Sequence, residues 1–273
     1  MKLESDISFV GPGFIPTNRR VIRDIREYVD AIEWLKDTYD QTILWFRGVS
    51  HATHRLVPSL YRNKTLRFEE NIEQELMGQF VRAAVPYVAD HSSWTKWEWY
   101  WTMQNYGLPT RLLDWTESSL VALYFAVRQH ENVATPTVWV MDPWWLNKTS
   151  KPGYEMVYMP HPLLDEPNES WIKESYLGSR DKLSVTPLAI MPPFTNTRIS
   201  AQQSVYTIHG KLVRGFEAAI KDIEELPRIF KLRMSTSKAL LFKQALQTMG
   251  VTESTLFPDL EGVARTIKWD FGF

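Results

Sequence analysis

The chain has 273 residues, no cysteine and a formal net charge of -1 at pH 7. The lack of cysteine excludes disulfides and thiolate metal sites, and it fits a reducing compartment. The small charge excludes a global attraction to nucleic acid or anionic membranes, although a local basic groove is compatible with it. The sequence shows no signal peptide and no apolar run near the ~20 residues of a membrane helix, so a cytoplasmic protein without membrane contact is expected.

The first hundred residues read mostly as helices around one short strand. The predicted elements are an arm at 1–20, a helix at 23–38, a strand at 41–46, a polar loop at 50–62 and helices at 66–90 and 92–106. The last helix is aromatic throughout, which favours a core helix over the alternative of a base-stacking platform. In the loop, His51 and His54 lie three residues apart with no third ligand nearby, so a hydrogen-bonding loop is favoured and no metal is expected.

Residues 104–128 contain the most informative stretch of the chain. A Gly-Leu-Pro turn leads into the apolar pair Leu112-Leu113, which ends on Asp114-Trp115-Thr116 and precedes a helix apolar enough to be buried. Polar groups where a strand feeds a helix N-terminus are common at ligand sites. We therefore expect Arg111 and Asp114 to share a pocket with Arg47. The alternative is a structural pair between Arg111 and Asp114 that fixes the turn.

The second half adds further strands and a helix. We predict strands at 135–142, 185–191, 204–209 and 228–234, a helix at 236–249, and a loop-rich insertion at 143–180 that faces a partner. The expected fold class is α+β, with a mixed or antiparallel sheet covered by several helices. Residues 1–40 form an arm and a helix packed on the core, and residues 41–273 form the single domain.

Four segments resemble one known family. LWFRGVS at 44–50 and NYGLPTRLLDWTESSLVALYFAV at 105–127 resemble the FRG family, which is named for the motif seen here as Phe46-Arg47-Gly48. RISAQQSVYTIHG at 198–210 and ESTLFPDLEGVAR at 253–265 resemble its later segments. The segment order is also similar to the ADP-ribosyltransferase layout. In that layout an early strand ends on an Arg or His that holds NAD, a middle strand carries a Ser, Thr or Tyr, and a late turn carries the catalytic acid.

The resemblance implies an NAD-dependent ADP-ribosyltransferase with an ADP-ribosyltransferase-like sheet. It points to a bacterial toxin or anti-phage effector that modifies nucleic acid, RNA rather than DNA, or a protein, and that has an antitoxin or inhibitor protein as a partner. The expected catalytic residues are Arg47, Asp114, Gln202 and Gln203. The expected NAD-binding residues are Phe46, Arg47, Gly48, Arg111, Thr116 and Tyr124. The expected substrate-binding residues are His51, Arg55, Tyr61, Arg62, Gln104, Asn105 and Tyr106, with single-stranded RNA as the nucleic-acid substrate.

The late turn differs from the transferase layout because it carries Gln202 and Gln203 and no glutamate. An amide can bind ribose hydroxyls through its oxygen and its NH₂ group, but it cannot act as a general base. Neighbouring side chains of an extended segment point to opposite faces, so we expect one of the two to face the pocket. Asp114 is the candidate for the missing charge, and the guanidinium groups of Arg47 and Arg111 suit a pyrophosphate.

Two other functions are compatible with the sequence. A nucleic-acid-binding or nuclease-like module is indicated by Arg47, Arg55, Arg62, Arg111 and the Trp-rich helix. The third possibility is a non-catalytic sensor domain that has the fold and lacks the acid.

Overall fold

The computed structural model describes residues 7–8, 17–18, 20–40, 43–66, 69, 71–88, 91–129, 131, 134–150, 183–193, 196–220 and 228–272. Over these residues the fold is α+β, as predicted from the sequence. Eight strands in the described part of the chain form one open sheet in the order β1-β2-β8-β5-β3-β4-β7-β6. They are β1 (Ile7–Ser8), β2 (Thr17–Asn18), β3 (Trp45–Val49), β4 (Leu112–Thr116), β5 (Thr137–Met141), β6 (Leu188–Ile190), β7 (Ser204–Ile208) and β8 (Ile229–Arg233).

Helices cover both faces of the sheet. The described residues form α1 (Ile25–Tyr39), α2 (Ser59–Arg62), α3 (Ile72–Ala84), α4 (Lys96–Asn105), α5 (Ser119–Val127), α6 (Pro143–Ser150), α7 (Thr197–Ala201), α8 (Phe216–Ala219), α9 (Ala239–Thr248), α10 (Glu253–Leu256) and α11 (Leu260–Asp270). The N-terminus of α5 is capped by Ser118, whose side chain accepts from the backbone N–H of Val121. None of the described helices is long and apolar enough to cross a membrane.

The central strands β3 and β4 pair over only one residue each. All strands from β8 to β6 pair antiparallel, and both β3–β5 and β4–β7 pair over five residues. By contrast, β3 and β4 are joined by a single pair, Phe46 with Thr116. The two strands therefore separate beyond this pair, and the sheet opens between them.

Three hydrophobic clusters fill the layers of the fold. On one face, α1, α5 and α9 cover β3, β5 and β8 with residues such as Tyr28 and Phe242. On the same face, α4 covers β4, β6 and β7 through Trp101, which stacks on Tyr206 at 5.2 Å. The third cluster lies on the opposite face and includes Trp45, with residues of α6 and α8. The opening between β3 and β4 thus lies between the α4 and α5 covers.

The strand β3 differs from its prediction. It begins at Trp45 and runs through Arg47 and Gly48 to Val49, so the Arg-Gly pair lies inside the strand and not after it. Gly48 is required by helix packing, because a Cβ atom there would lie 1.8 Å from the carbonyl oxygen of Ala122 in α5. The glycine therefore allows the close approach of helix and strand.

Two other sequence interpretations change. Residues 143–150 of the predicted loop-rich insertion form helix α6, while residues 151–182 lie outside the described part. The aromatic helix α4 is a core helix, as favoured, and the base-stacking alternative is wrong for its indoles. Its buried aromatic residues are Trp97, Trp99, Tyr100 and Trp101.

Candidate functional site

A cleft of about 990 Å³ opens where β3 and β4 separate. Its floor lies on one face of the sheet, because Asp114 is paired with Tyr206 and Thr116 with Ser204, all four lining the cleft. The ends of α4 and α7, the segment 50–64 that contains α2, and Val213 and Arg214 complete the walls. The volume is at the upper end of the roughly 300–1,000 Å³ of small-molecule and cofactor pockets.

The cleft is strongly cationic although the chain is nearly neutral. One carboxylate, Asp114, faces six cationic side chains among the described residues of the lining. These cations are Arg47, Arg55, Arg62, Lys64, Arg198 and Arg214. Such a concentration of one sign of charge in a concave surface focuses the electrostatic field and attracts anionic ligands.

Arg47 projects between the separated strands. One of its terminal nitrogens donates to the backbone carbonyl of Asp114 and lies 3.4 Å from that residue's Oδ2. Burial lowers the pKa of Arg47, and the Asp114 carboxylate opposes this shift. A guanidinium remains charged under all ordinary conditions. Its side chain is 17% exposed, so donor groups remain available to the cleft. Arg47 and Asp114 thus form an ion pair.

Asp114 is held from its second side as well. Its Oδ1 accepts from Nε2 of Gln104 at 2.7 Å, and Oε1 of Gln104 in turn accepts from the hydroxyl of Thr110. The carboxylate is 57% exposed despite these contacts. The chain Arg47–Asp114–Gln104–Thr110 therefore fixes a negative charge at the floor of the cleft.

Arg111 does not share this pocket, so its prediction as a pyrophosphate-binding residue is wrong. Its Nε donates to Glu73 of α3 at 2.6 Å, and a terminal nitrogen donates to the carbonyl of His209 at 3.3 Å. Burial lowers the pKa of Arg111, but the charge of Glu73 more than offsets this, and the net direction is upward. The physical reason is strand alternation, since positions three apart in an extended chain point to opposite faces. The alternative pair of Arg111 with Asp114 is absent too, because each binds another partner.

Of the two glutamines, Gln202 lines the cleft and Gln203 is not among its lining residues. The Nε2 of Gln202 donates to the backbone carbonyl of Leu256 at 3.0 Å, while the backbone carbonyl of Gln202 accepts from the hydroxyl of Thr116. Gln203 has a left-handed backbone with φ of 46°, and its carbonyl accepts from Glu117. The turn is therefore tied both to the N-terminus of α5 and to the C-terminal helices.

The middle-strand candidates have different positions. Thr116 lines the cleft, but its hydroxyl is engaged with the carbonyl of Gln202 at 2.7 Å and with the N–H of Ser118 at 3.0 Å. Tyr124 is buried in the core of α5 and borders a separate pocket near Glu253, so its assignment to the NAD site is wrong. Ala122 and Ala126 are the residues of α5 that lie against Gly48 of β3, and Tyr124, two positions from each, falls on the other side of the helix.

The segment after β3, which ends in helix α2, supplies one wall of the cleft. Arg55 and Arg62 line it, and both donate to backbone carbonyls, of Arg214 at 2.8 Å and of Val57 at 2.9 Å. Tyr61 lines it with its hydroxyl bound to the carbonyl of Gly210. His54 also lines it, and burial, followed by nearby positive charges, lowers its pKa.

His51 packs ring to ring with His54 at 4.9 Å but is not in the cleft lining. In the described part of the chain, no group of three His, Asp or Glu side chains is arranged to hold a metal ion.

Helix α4 contributes its last residues to the cleft. Gln104 and Asn105 line it, and the amide nitrogen of Asn105 is buried with no hydrogen-bond partner among the described residues. Tyr106 is not in the lining and is 78% exposed, next to lining residues on both sides of it in sequence.

Three cationic residues of the cleft lining were not predicted from the sequence as site residues. They are Lys64, Arg198 and Arg214. Arg198 lies 4.8 Å above the ring of Phe257, which contacts Arg128 at 4.6 Å.

The geometry defines an α+β protein whose sheet, antiparallel from β8 to β6, opens at its centre into a cationic cleft. Residues 42–134, about a third of the chain, match the FRG domain. This span includes β3, α4, β4 and α5, and thus Arg47, Asp114 and Gln104. The resemblance stated for residues 198–210 and 253–265 lies outside the match and stays a prediction. No curated protein and no solved structure matches the chain.

Proposed function

We propose that this protein is an NAD-dependent ADP-ribosyltransferase that holds NAD in the central cleft. The observation that carries the proposal is the position of Arg47, a fixed guanidinium between two separated strands in a cleft of about 990 Å³. A guanidinium presents several N–H groups to the oxygens of a pyrophosphate. A dinucleotide is an anionic ligand of the size that such a pocket accommodates.

The residues around Arg47 fit such a ligand. The buried amide nitrogen of Asn105 lacks a partner in the described structure, so a ligand oxygen would satisfy it. With Nε2 of Gln202 bound to Leu256, the Oε1 atom of Gln202 is the one suited to accept from a ribose hydroxyl. Asn105 is the last residue of α4 and Gln202 directly follows α7, so secondary structure fixes the position of both.

NAD supplies an activated bond between nicotinamide and ribose; its cleavage releases nicotinamide with the bonding electrons, and the acceptor forms the new bond and loses a proton. The chain's part is to stabilise the positive charge that develops on the ribose and to align the acceptor. Asp114 is the described carboxylate available for this electrostatic role. Its contacts with Arg47 and Gln104 fix its orientation before any ligand binds.

Substitution of Arg47 tests the proposal. Arg47→Ala should abolish both the rise in melting temperature on adding NAD and the release of nicotinamide. NAD at a hundred times its Kd should stabilise the wild type by about 2.7 kcal/mol. The loss of the contact with the Asp114 carbonyl should itself cost about 1–2 kcal/mol. Arg82→Ala, at an exposed position of α3 away from the cleft, is the matched control.

A wild-type protein that neither shifts with NAD nor releases nicotinamide would contradict this function. The alternative is a non-catalytic nucleic-acid-binding or sensor domain. It is favoured by one observation, that the single carboxylate in the described lining is already bound to Arg47 and Gln104. An active enzyme would suit a bacterial toxin or anti-phage effector that is restrained by an inhibitor protein.

A further inference from the structure

We infer that the acceptor of the reaction is a single-stranded nucleic acid, whose phosphates bind a cationic wall of the cleft; this rests on the proposed transferase function. The cationic wall consists of Arg55, Arg62, Lys64 and Arg214, all exposed and all lining the cleft. None of the four forms an ion pair with an acidic side chain of the described structure. Four cations without carboxylate partners favour an anionic ligand with several charges.

The wall is built from two chain segments that hold each other. The backbone N–H of Phe216 donates to the carbonyl of Leu56 at 2.9 Å, and the N–H of Leu56 donates to Oε1 of Glu217 at 3.1 Å. Arg55 donates to the carbonyl of Arg214 at 2.8 Å. Residues far apart in sequence are therefore fixed side by side, so that their charges act on the same region.

The wall is continuous with the proposed NAD site. Burial is the main cause that lowers the pKa of Arg47, and the positive charge of Arg62 adds to it. Arg47 lines the same cleft as the four residues of the wall, with His54 also in its lining. An anion bound to the wall would therefore lie beside the group bound to Arg47, which is the arrangement that transfer between two substrates requires.

A single strand is favoured over a protein or a free phosphate by two observations together. Several cations spread along a groove match the repeated charges of a phosphodiester chain. Tyr106 stands 78% exposed between the lining residues Asn105 and Gly107, and an exposed ring at a groove mouth can stack on an unpaired base.

The test measures binding of the 273-residue chain to fluorescein-labelled single-stranded RNA and DNA of about twelve nucleotides, by anisotropy at several salt concentrations. Lys64→Ala/Arg214→Ala is the informative variant, because neither side chain makes a hydrogen bond or ion pair within the described structure. Arg82→Ala/Lys238→Ala removes the same charge at exposed positions outside the cleft. We expect the first double variant to bind about tenfold more weakly, with a salt slope smaller by about 1.4, and the control to bind like wild type.

Tyr106→Ala should weaken binding of the oligonucleotides by about fivefold or more without changing the salt slope, because stacking is not ionic. Equal binding by wild type and Lys64→Ala/Arg214→Ala would overturn the inference, as would equal losses in both double variants. Inorganic tripolyphosphate that displaces the oligonucleotide fully at equal phosphate concentration would assign the wall to free polyphosphate instead. The melting shift with NAD is measured in parallel, so that a failure of NAD binding is distinguished from a failure of nucleic-acid binding.

Discussion

His209 is a buried residue whose protonation opposes folding. Burial, with smaller contributions from Arg111 and Arg47, lowers the pKa of His209 to about 3. In the unfolded chain the pKa of this group is about 6.5. Between this pKa and the lower one of the folded state, only the unfolded state binds the proton. The contribution of His209 to the free energy of unfolding should be fully present above about pH 6.5. It should fall by up to about 1.4 kcal/mol per pH unit as the pH decreases towards 5.

His209→Gln should remove this part of the pH dependence, since glutamine stays neutral and can still bind the Thr207 hydroxyl, which lies 3.2 Å from the imidazole. Urea unfolding at pH 7 and pH 5.5 measures the difference. A variant with the same pH slope as wild type would show that other groups cause it.

Gln202 and Gln203 provide a comparison at adjacent residues. Gln202→Ala should cost about 1 kcal/mol through the lost contact with Leu256, and it should reduce nicotinamide release at least tenfold if its amide holds the ribose. Gln203→Gly should leave the activity unchanged and should not lower the melting temperature, because glycine adopts a φ of 46° without strain. Similar activities of Gln202→Ala and wild type would exclude the turn from the site.

The packing of α5 on β3 is the contact between elements that holds the cleft in place. Gly48→Ala would place a Cβ atom 1.8 Å from the carbonyl oxygen of Ala122, so helix and strand must move apart. We expect a loss of about 3 kcal/mol or more in the free energy of unfolding. Gly78→Ala in α3 is the matched control, because no atom lies within 4 Å of its Cβ position.

The control should be stabilised by roughly 0.5–1 kcal/mol, since alanine is the better helix former. Chemical denaturation of both variants measures the contrast. A Gly48→Ala protein as stable as wild type would mean that the strand and the helix adjust without cost.

Over the whole molecule, the sequence predicted the elements better than the contacts. The apolar strands and the buried helix α5 follow local patterns, and the fold class followed from their order. Arg47 and Asp114 were correctly expected to lie together. The error at Arg111, which precedes β4, arose because its partner Glu73 lies 38 residues away on helix α3, and no local pattern reports such a pair.

For the same reason, the sequence indicated only two of the four residues of the cationic wall. Arg55 and Arg62 stood out within one polar loop, whereas Arg214 lies about 150 residues later and is brought to them by tertiary hydrogen bonds. The sequence did not predict that β3 continues through Gly48, because glycine has a low strand propensity. The glycine is explained by its contact with Ala122 of α5, a helix about 70 residues further along the chain.

Because β3 and β4 share only one residue pair, the width of the cleft can change without loss of hydrogen bonds in the rest of the sheet. The strands on either side of the opening keep complete hydrogen-bond ladders with their outer neighbours. The distance across the cleft is then set mainly by side chains such as Arg47, Asp114 and Gln104. Substitutions at these positions can widen or narrow the aperture while both halves of the sheet remain paired. Selection for a larger or smaller ligand can therefore act on a few side chains without remodelling the backbone.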